Sequence, residues 1–269
     1  MANHLSSPHN PLITTYNKLR ENRRYRQKAG KIALEGPNLI REAIKAGLTA
    51  ETIFFTSQYY KNDGKEWMSG LPASAKRYTL SESLFKHIAD TETPQPVAAI
   101  FCFNYPQIEH PLHQTSSIAL ILDRLQDPGN LGTIIRTAAA AGVDTVYYAS
   151  GCADPYSPKA LRSSAGAVFL IRVEYVDNLG VFVQDLKKSG VQLIASSPHS
   201  TISYRSVQYK RPLALLVGNE ASGLSDEMLQ AADLNVSIPL KRDVESLNAS
   251  VASAVLLFEI IHHNDRQRP

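Results

Sequence analysis

Apolar and polar positions along this chain fall into short blocks whose spacing changes from one block to the next. In the first part, "KIALEG", "ETIFFTS", "AKRYTL" and "VAAIFCF" read as strands, and "PNLIREAIKAG" and "SESLFKHIAD" between them carry helical spacing. In the second part "SIALILD", "TVYYAS", "VFLIRV", "VQLIASS", "LALLVGN" and "LNVSIPL" are continuous apolar runs rich in Val, Ile and Leu. Runs of that kind predict strands buried on both faces, as in a parallel sheet covered by helices. The helices between them are expected near 131–142, 157–165, 178–190, 224–232 and 247–262. "NYPQIEHPLHQTSS", with two prolines and little periodicity, separates the two parts and reads as a linker. The pattern therefore predicts α/β architecture twice over. A smaller N-terminal domain is expected over 1–104, a linker over 105–116, and a larger, mostly parallel α/β domain over 117–269.

Composition narrows the class. A chain of 269 residues with 43% hydrophobic and 20% charged residues can bury a real core in each of two domains. The net charge of +3 permits a nucleic-acid partner without demanding one, so the placement of the charge matters more than its sum. Cys102 and Cys152 form no ligand spacing and no disulfide framework, and both are expected to be small buried hydrophobes. His110 and His113 in the linker form an isolated pair, so no metal is expected. "MANHLSSPHNPLIT" lacks the order of a signal peptide, and the apolar run near "VASAVLLFEII" is short and carries Glu259. A cytoplasmic protein with no membrane partner is the expectation.

One stretch departs from an ordinary solvated surface. Residues 16–31, "YNKLRENRRYRQKAGK", gather Lys18, Arg20, Arg23, Arg24, Arg26, Lys28 and Lys31 around one acid, Glu21. A solvated helix face normally mixes signs. If the stretch is one helix, Arg20, Arg24 and Lys28 recur on one face, with Tyr16 and Tyr25 offering rings to bases or riboses. Arg20, Arg23, Arg24, Arg26 and Lys28 are therefore the candidate nucleic-acid-binding residues, for RNA or DNA alike.

Three further segments look like parts of one site. "LQDPGNLGTIIRTAAAAG", residues 125–142, follows the strand "SIALILD" and places a lone Arg136 between the small residues Gly132 and Ala140. Its turn is neither G-x-G-x-x-G nor a P-loop, so it carries no phosphate-cradling signature. "LLVGNEASGLS", residues 215–225, repeats the strand-then-turn form with Gly218, Asn219, Glu220 and Gly223. Gly218 at a strand's carboxyl end leaves backbone groups open to a ligand, and Ser225 before two acids reads as a helix N-cap. "SIPLKRDVESLNASVASAVLLFEI", residues 237–260, passes from loop to helix near Ser246, with a thin Ala/Ser stripe over 249–253.

In that order, "DPGNLGTIIRTA", "VGNEASGLS" and "IPLKRDVESLNASVASA" resemble motifs 1, 2 and 3 of the SpoU (TrmH) family of RNA ribose 2′-O-methyltransferases. The resemblance covers 117–262; upstream, "KIALEGPNLIREAIKAG" and "TETPQPVAAI" more loosely resemble the family's ribosomal-protein-like substrate-binding domain, with Pro96 where glycine is common. It implies the α/β knot of the SPOUT superfamily, with motifs 2 and 3 tied into a trefoil, and a homodimer with the motif 3 helix near the interface. It implies S-adenosylmethionine as cofactor, held by the backbone at Gly218, Ile238 and Leu247 beside Asn219 and Pro239. It implies Arg136 as the catalytic arginine, supplied across the dimer, with Asn130, Glu220, Ser246 and Asn248 as the polar residues around it. Large-subunit rRNA is the implied partner. Two roles for Arg136 stay open: an aligned base, or a group that clamps phosphate and orients the hydroxyl. Glu220 is the one ordinary base at hand. Leu240 stands where methionine is frequent, and Lys241-Arg242 where glycine is common. A non-catalytic RNA-binding protein would need none of Asn130, Arg136, Glu220, Ser246 and Asn248 together, and a nicotinamide-dependent oxidoreductase lacks its glycine pattern here.

Overall fold

The protein is described by a computed structural model covering residues 3–61, 70–71, 73–90, 93–106 and 117–266. Most of the expected linker, with His110 and His113, lies outside the described residues, as do the first two residues of "TETPQPVAAI". Contacts divide the chain into two units: Met1–Tyr105 with Tyr156–Phe169, and Pro106–Pro155 with Leu170–Pro269.

The first unit is built on a five-stranded mixed sheet in the order β1-β4-β3-β5-β2. Its strands are β1 (Asn3–Leu5), β2 (Lys31–Glu35), β3 (Ala50–Thr56), β4 (Lys76–Leu80) and β5 (Val97–Cys102). Strands β2 to β5 match the predicted runs; the three-residue β1, paired in parallel with β4, is an addition. Ile13, Tyr16 and Leu19 of α1 (Pro11–Glu21) and Leu84, Phe85 and Ile88 of α4 (Glu82–Ile88) form a core with Ala33, Phe54 and Ala98. Helix α3 (Pro37–Lys45) packs on β2 and β5, and α6 (Pro158–Ser164) belongs to the same unit.

The basic stretch is not one helix. Asn22 ends α1 and caps α2 (Arg23–Ala29), its side chain accepting from the Tyr25 amide. Gly30 closes α2 in the left-handed conformation, and Lys31 already belongs to β2. Arg20, Arg24 and Lys28 therefore do not form one continuous helical stripe.

The second unit is a six-stranded sheet in the order β11-β9-β10-β6-β7-β8, every neighbouring pair parallel. Its strands are β6 (Ile118–Leu122), β7 (Thr145–Ala149), β8 (Arg172–Val176), β9 (Gln192–Ser196), β10 (Leu213–Val217) and β11 (Leu234–Val236). All five residues of β6, β7 and β10 are buried, as a sheet covered on both faces requires. Phe182, Val183 and Leu186 of α7 (Leu179–Lys188) and Met228 of α8 (Asp226–Ala231) meet Ala119, Ile121, Ala214 and Leu216 on one face. Alternation turns Leu120, Leu122, Leu213 and Leu215 the other way. There α5 (Pro128–Ala140) and α9 (Ala249–Arg266) pack together, with α9 also against β10.

Two apolar runs differ from expectation. "VFLIRV" is not a strand from its start: Ala167–Phe169 form a 3-10 turn, Leu170 is exposed, and β8 begins at Arg172. The turn lies in the segment that clusters with the first unit, where the Phe169 ring sits 6.1 Å from that of Phe103. "LNVSIPL" forms only the three residues of β11. Cys102, expected to be buried, is exposed at the end of β5, whereas the Cys152 thiol is half-buried and donates to the Leu122 carbonyl at 3.3 Å. Burial pushes that thiol above its ordinary pKa.

Candidate functional site

In the parallel sheet the chain runs from β6 outward to β7 and β8 on one side, and from β9 to β10 and β11 on the other. The order therefore reverses between β6 and β10. The carboxyl ends of strands at such a reversal are where open α/β sheets bind ligands. The first two conspicuous segments of the sequence are the two loops that leave β6 and β10 there.

Local chemistry explains each loop. Asp127 caps α5 by accepting from the Asn130 amide at 2.9 Å, and Pro128 fills the first helical position. The helix thus begins three residues earlier than its apolar spacing suggests, and Asn130 sits in its first turn. After β10, Asn219 and Gly223 exchange backbone hydrogen bonds of 3.1 and 2.9 Å. The Asn219 side chain accepts from the Ala221 and Ser222 amides and donates to the Arg124 carbonyl at 2.8 Å. A Cβ on Gly218 would stand 2.2 Å from the Gly223 carbonyl carbon and the Leu224 nitrogen. The space left by the missing side chain of Gly218 is filled by the returning chain itself, which is a stricter demand for glycine than an open approach for a ligand. At the third segment Asn248 caps α9, accepting from the Ser250 amide at 2.8 Å.

Four hydrogen bonds join these loops. Asn248 Nδ2 donates to Asn130 Oδ1 at 3.0 Å, and Asn130 Nδ2 donates to Glu220 Oε1 at 3.1 Å. Glu220 also accepts from the Asp127 amide at 3.1 Å and the Gln126 amide at 3.2 Å. Burial works to raise the Glu220 pKa, but the Asn130 amide and the backbone donors together outweigh it and hold the carboxylate below its ordinary range. A carboxylate held below its ordinary pKa is a weaker acceptor for a proton than a free one. The part of Glu220 is to join the loops. Because its folded pKa is depressed, its contribution to stability is present at neutral pH and is lost as the pH falls through that pKa, below the ordinary carboxylate range. Glu220→Gln sets an amide donor against backbone donors, at a cost of about 1 kcal/mol. In melting curves from neutral to acid pH, the variant should melt lower than wild type at neutral pH and converge with it at the acid end.

Beside this junction lies a cleft of about 310 Å³ at the carboxyl ends of β9, β10 and β11. Gly218, Asn219, Ile238 and Leu247 line it, as do Glu220 and Ser246; Pro239 does not. Ser246 takes no part in the hydrogen bonds of this junction, and Asn130 and Asn248 stand outside the cleft lining. Leu240, at the departure from the motif pattern, lines the cleft, whereas Lys241 and Arg242 are exposed. The lining holds no Lys or Arg, and its acids are Glu220 and Glu245. Val217, Leu224, Val236, Ile238 and Leu247 supply apolar walls, and the turn supplies backbone groups. That chemistry fits a compact, cationic, phosphate-free ligand and disfavours a nucleotide phosphate.

The loop after β9, Ser196 to His199, also lines the cleft and was missed from the sequence. Its signal would have been the neighbourhood of β9 and β10, which strand order alone reveals. Arg136 lies outside the cleft lining: it is exposed on α5 and makes no hydrogen bond or ion pair with any described residue. Among the described residues no group of three His, Cys, Asp or Glu side chains is placed to hold a metal, and no helix is long and apolar enough to cross a membrane.

The candidate RNA-binding residues separate into two sets. Arg26 is buried and donates to the Leu19 and Arg20 carbonyls at 2.8 and 3.0 Å, closing the end of α1. Arg20 donates to the Ile88 and Ala89 carbonyls at the end of α4 and pairs with Glu21. Tyr16 is a core residue, its hydroxyl donating to the Leu34 carbonyl at 3.3 Å, and burial drives its pKa far above the ordinary value. These three are structural, contrary to the expectation for a binding face. Arg24 and Lys28 are exposed, Arg23 is half-buried, and Lys18 lies 5.8 Å from the Tyr25 ring centre.

The fold and cleft define a parallel α/β protein with a phosphate-free ligand site at the reversal of its strand order. Residues 117–258 match the SpoU rRNA Methylase family, residues 10–99 match the MRM3-like substrate binding domain, and the chain belongs to the SpoU rRNA methylase family. It is 35% identical to the Bacillus subtilis 23S rRNA (guanosine(2553)-2′-O)-methyltransferase RlmP, over 95% of this chain and 98% of that protein. The SpoU methyltransferase AviRb from Streptomyces viridochromogenes, solved in complex with AdoMet, superimposes with a TM-score of 0.85 at 26% identity, over 97% of this chain and 100% of that one. The AdoMet-bound rRNA methyltransferase from Sinorhizobium meliloti gives 0.82 at 30% identity, over 97% and 98%.

Proposed function

We propose that this protein transfers a methyl group from S-adenosylmethionine to a ribose 2′-hydroxyl of RNA, with large-subunit rRNA as the substrate. The observation that carries the proposal is the hydrogen-bonded line from Asn248 through Asn130 to Glu220, which gathers all three motif loops at the edge of a cleft free of cations. The backbone at Gly218, Asn219, Ile238 and Leu247 would hold the donor, and the apolar walls would exclude water from it. When bound, the donor supplies an electrophilic methyl group on a positively charged sulfur. The protein's own task is to bring one 2′-hydroxyl into line with that methyl and to keep it there. Arg136 serves this as a fork for the RNA backbone, because its guanidinium offers several donors in one plane.

Arg136 is free on α5, and the adjoining helix α9 exposes Val251 and Phe258, seven residues apart and so on one face, at 48% and 52%. These features support a homodimer in which Arg136 serves the cleft of a second copy. Arg24 and Lys28, with Arg23, form the remaining basic contact to RNA. Replacing Arg24 and Lys28 by Ala should lower the slope of log affinity against log salt by about one per lost phosphate contact. Filter binding over a salt series checks this, and an unchanged slope removes the patch from the interface.

The deciding experiment incubates the purified protein with methyl-labelled S-adenosylmethionine and rRNA, then maps 2′-O-methyl positions in RNA from cells with and without it. A ribose mark that depends on the protein is expected. Absence of label in every RNA offered rejects the proposal.

A further inference from the structure

We infer that Arg124 is a positioning residue, which fastens the turn after β10 to the loop after β6 and so fixes one wall of the cleft. The inference rests on the methyl-transfer reading. Arg124 itself does not line the cleft; it acts through residues that do. Its Nε and Nη2 donate to the two carboxylate oxygens of Asp123, each at 3.1 Å, and Nη2 also donates to the Gly223 carbonyl at 3.3 Å. Its own carbonyl accepts from Asn219 Nδ2 at 2.8 Å. Asn219 and Gly223, the two residues whose backbone bonds close the turn, are thus both held by this one arginine. Asp123 is buried, and its amide donates to the Val217 carbonyl at the end of β10, 2.9 Å away. The guanidinium therefore ties a buried carboxylate on one strand's exit to a carbonyl on its neighbour's.

The backbone confirms that the arrangement is imposed. Arg124 has φ of 53°, a left-handed conformation that side chains other than Gly, Asn and Asp rarely adopt. That conformation lets the guanidinium reach back to its own neighbour Asp123. The stem of the side chain lies where Gly151 has no Cβ: one added there would come within 3.0 Å of Arg124 Cγ. Strained backbone of this kind persists where surrounding bonds over-determine it, as the four bonds of Arg124 do.

Arg124→Gly suits the left-handed backbone and removes the side chain alone. Asp123→Asn in the same chain removes the carboxylate charge left without its partner. In both the single and the double variant, calorimetry should show S-adenosylmethionine binding weaker by about tenfold or more. The Michaelis constant for RNA should stay within about twofold, and in the double variant, where no carboxylate charge is left unpaired, the melting temperature within about 4 °C. Hydrogen exchange should quicken at the Asn219 and Gly223 amides and not across the sheet. Arg124→Lys should restore part of the affinity only, since an ammonium group lacks the planar fork that bridges Asp123 and Gly223. Wild-type affinity with wild-type exchange in Arg124→Gly overturns the inference, and so does a loss of affinity that merely follows a fall in melting temperature and faster exchange throughout the sheet. If the wild-type protein binds no S-adenosylmethionine, the methyl-transfer reading fails, and exchange at 219 and 223 still decides the role of Arg124.

Discussion

Gly218→Ala is expected to abolish measurable S-adenosylmethionine binding and to lower the melting temperature by roughly 5–10 °C, from about 3 kcal/mol of overpacking. The added methyl would stand 2.2 Å from two backbone atoms, of Gly223 and Leu224, that have no rotamer to adopt. The turn has to open, and with it go the bonds between Asn219 and Gly223 that shape the cleft. Gly223 provides the control. Its φ is 67° and nothing lies within 4 Å of a Cβ placed there, so Gly223→Asn, which tolerates that conformation, should keep most of the affinity. Calorimetry and thermal melts on the two variants check the pair. Normal binding by Gly218→Ala would show that the turn is not a wall of the donor site.

Arg136→Lys is expected to lower kcat by about a hundredfold or more while leaving the melting temperature unchanged. The charge is retained, but the planar fork is lost. The residue is exposed and unpaired in this structure, so stability does not depend on it. Single-turnover methyl transfer measured beside thermal melting checks both halves. Near-normal turnover would reject both roles considered for this residue. Mixing Arg136→Ala with a cleft-blocked chain such as Leu247→Arg distinguishes where the arginine acts. Each is inactive alone, and activity returns on mixing if Arg136 serves a second copy.

The strands and the loops of the site were legible from the sequence for one reason: in a parallel sheet both faces are buried, so each strand shows as an unbroken apolar run with its reactive turn behind it. "SIALILD" and "LALLVGN" became β6 and β10 within a residue or two. What sequence could not supply was adjacency. That β10 lies against β6 brings Glu220 to the amides of Gln126 and Asp127 and turns a candidate base into a clasp. The same missing adjacency hid Arg124 and the loop ending at His199. The basic stretch misled for a different reason. Charge alone does not say whether an arginine faces water, and Arg20 and Arg26 instead satisfy carbonyls at the ends of two helices. "VFLIRV" failed because its first residues pack with the first unit, so its hydrophobicity reported burial without reporting a strand.

The strand order has a consequence for how the protein is made. β10 lies between β6 and β9, both of which leave the ribosome earlier. Until β10 arrives, the run Ile-Ala-Leu-Ile-Leu of β6 has one open hydrogen-bonding edge and no neighbour on that side. Such a segment is a template for pairing with other chains. The centre of the sheet therefore closes late in synthesis, and β6 is the segment that needs shielding through that interval.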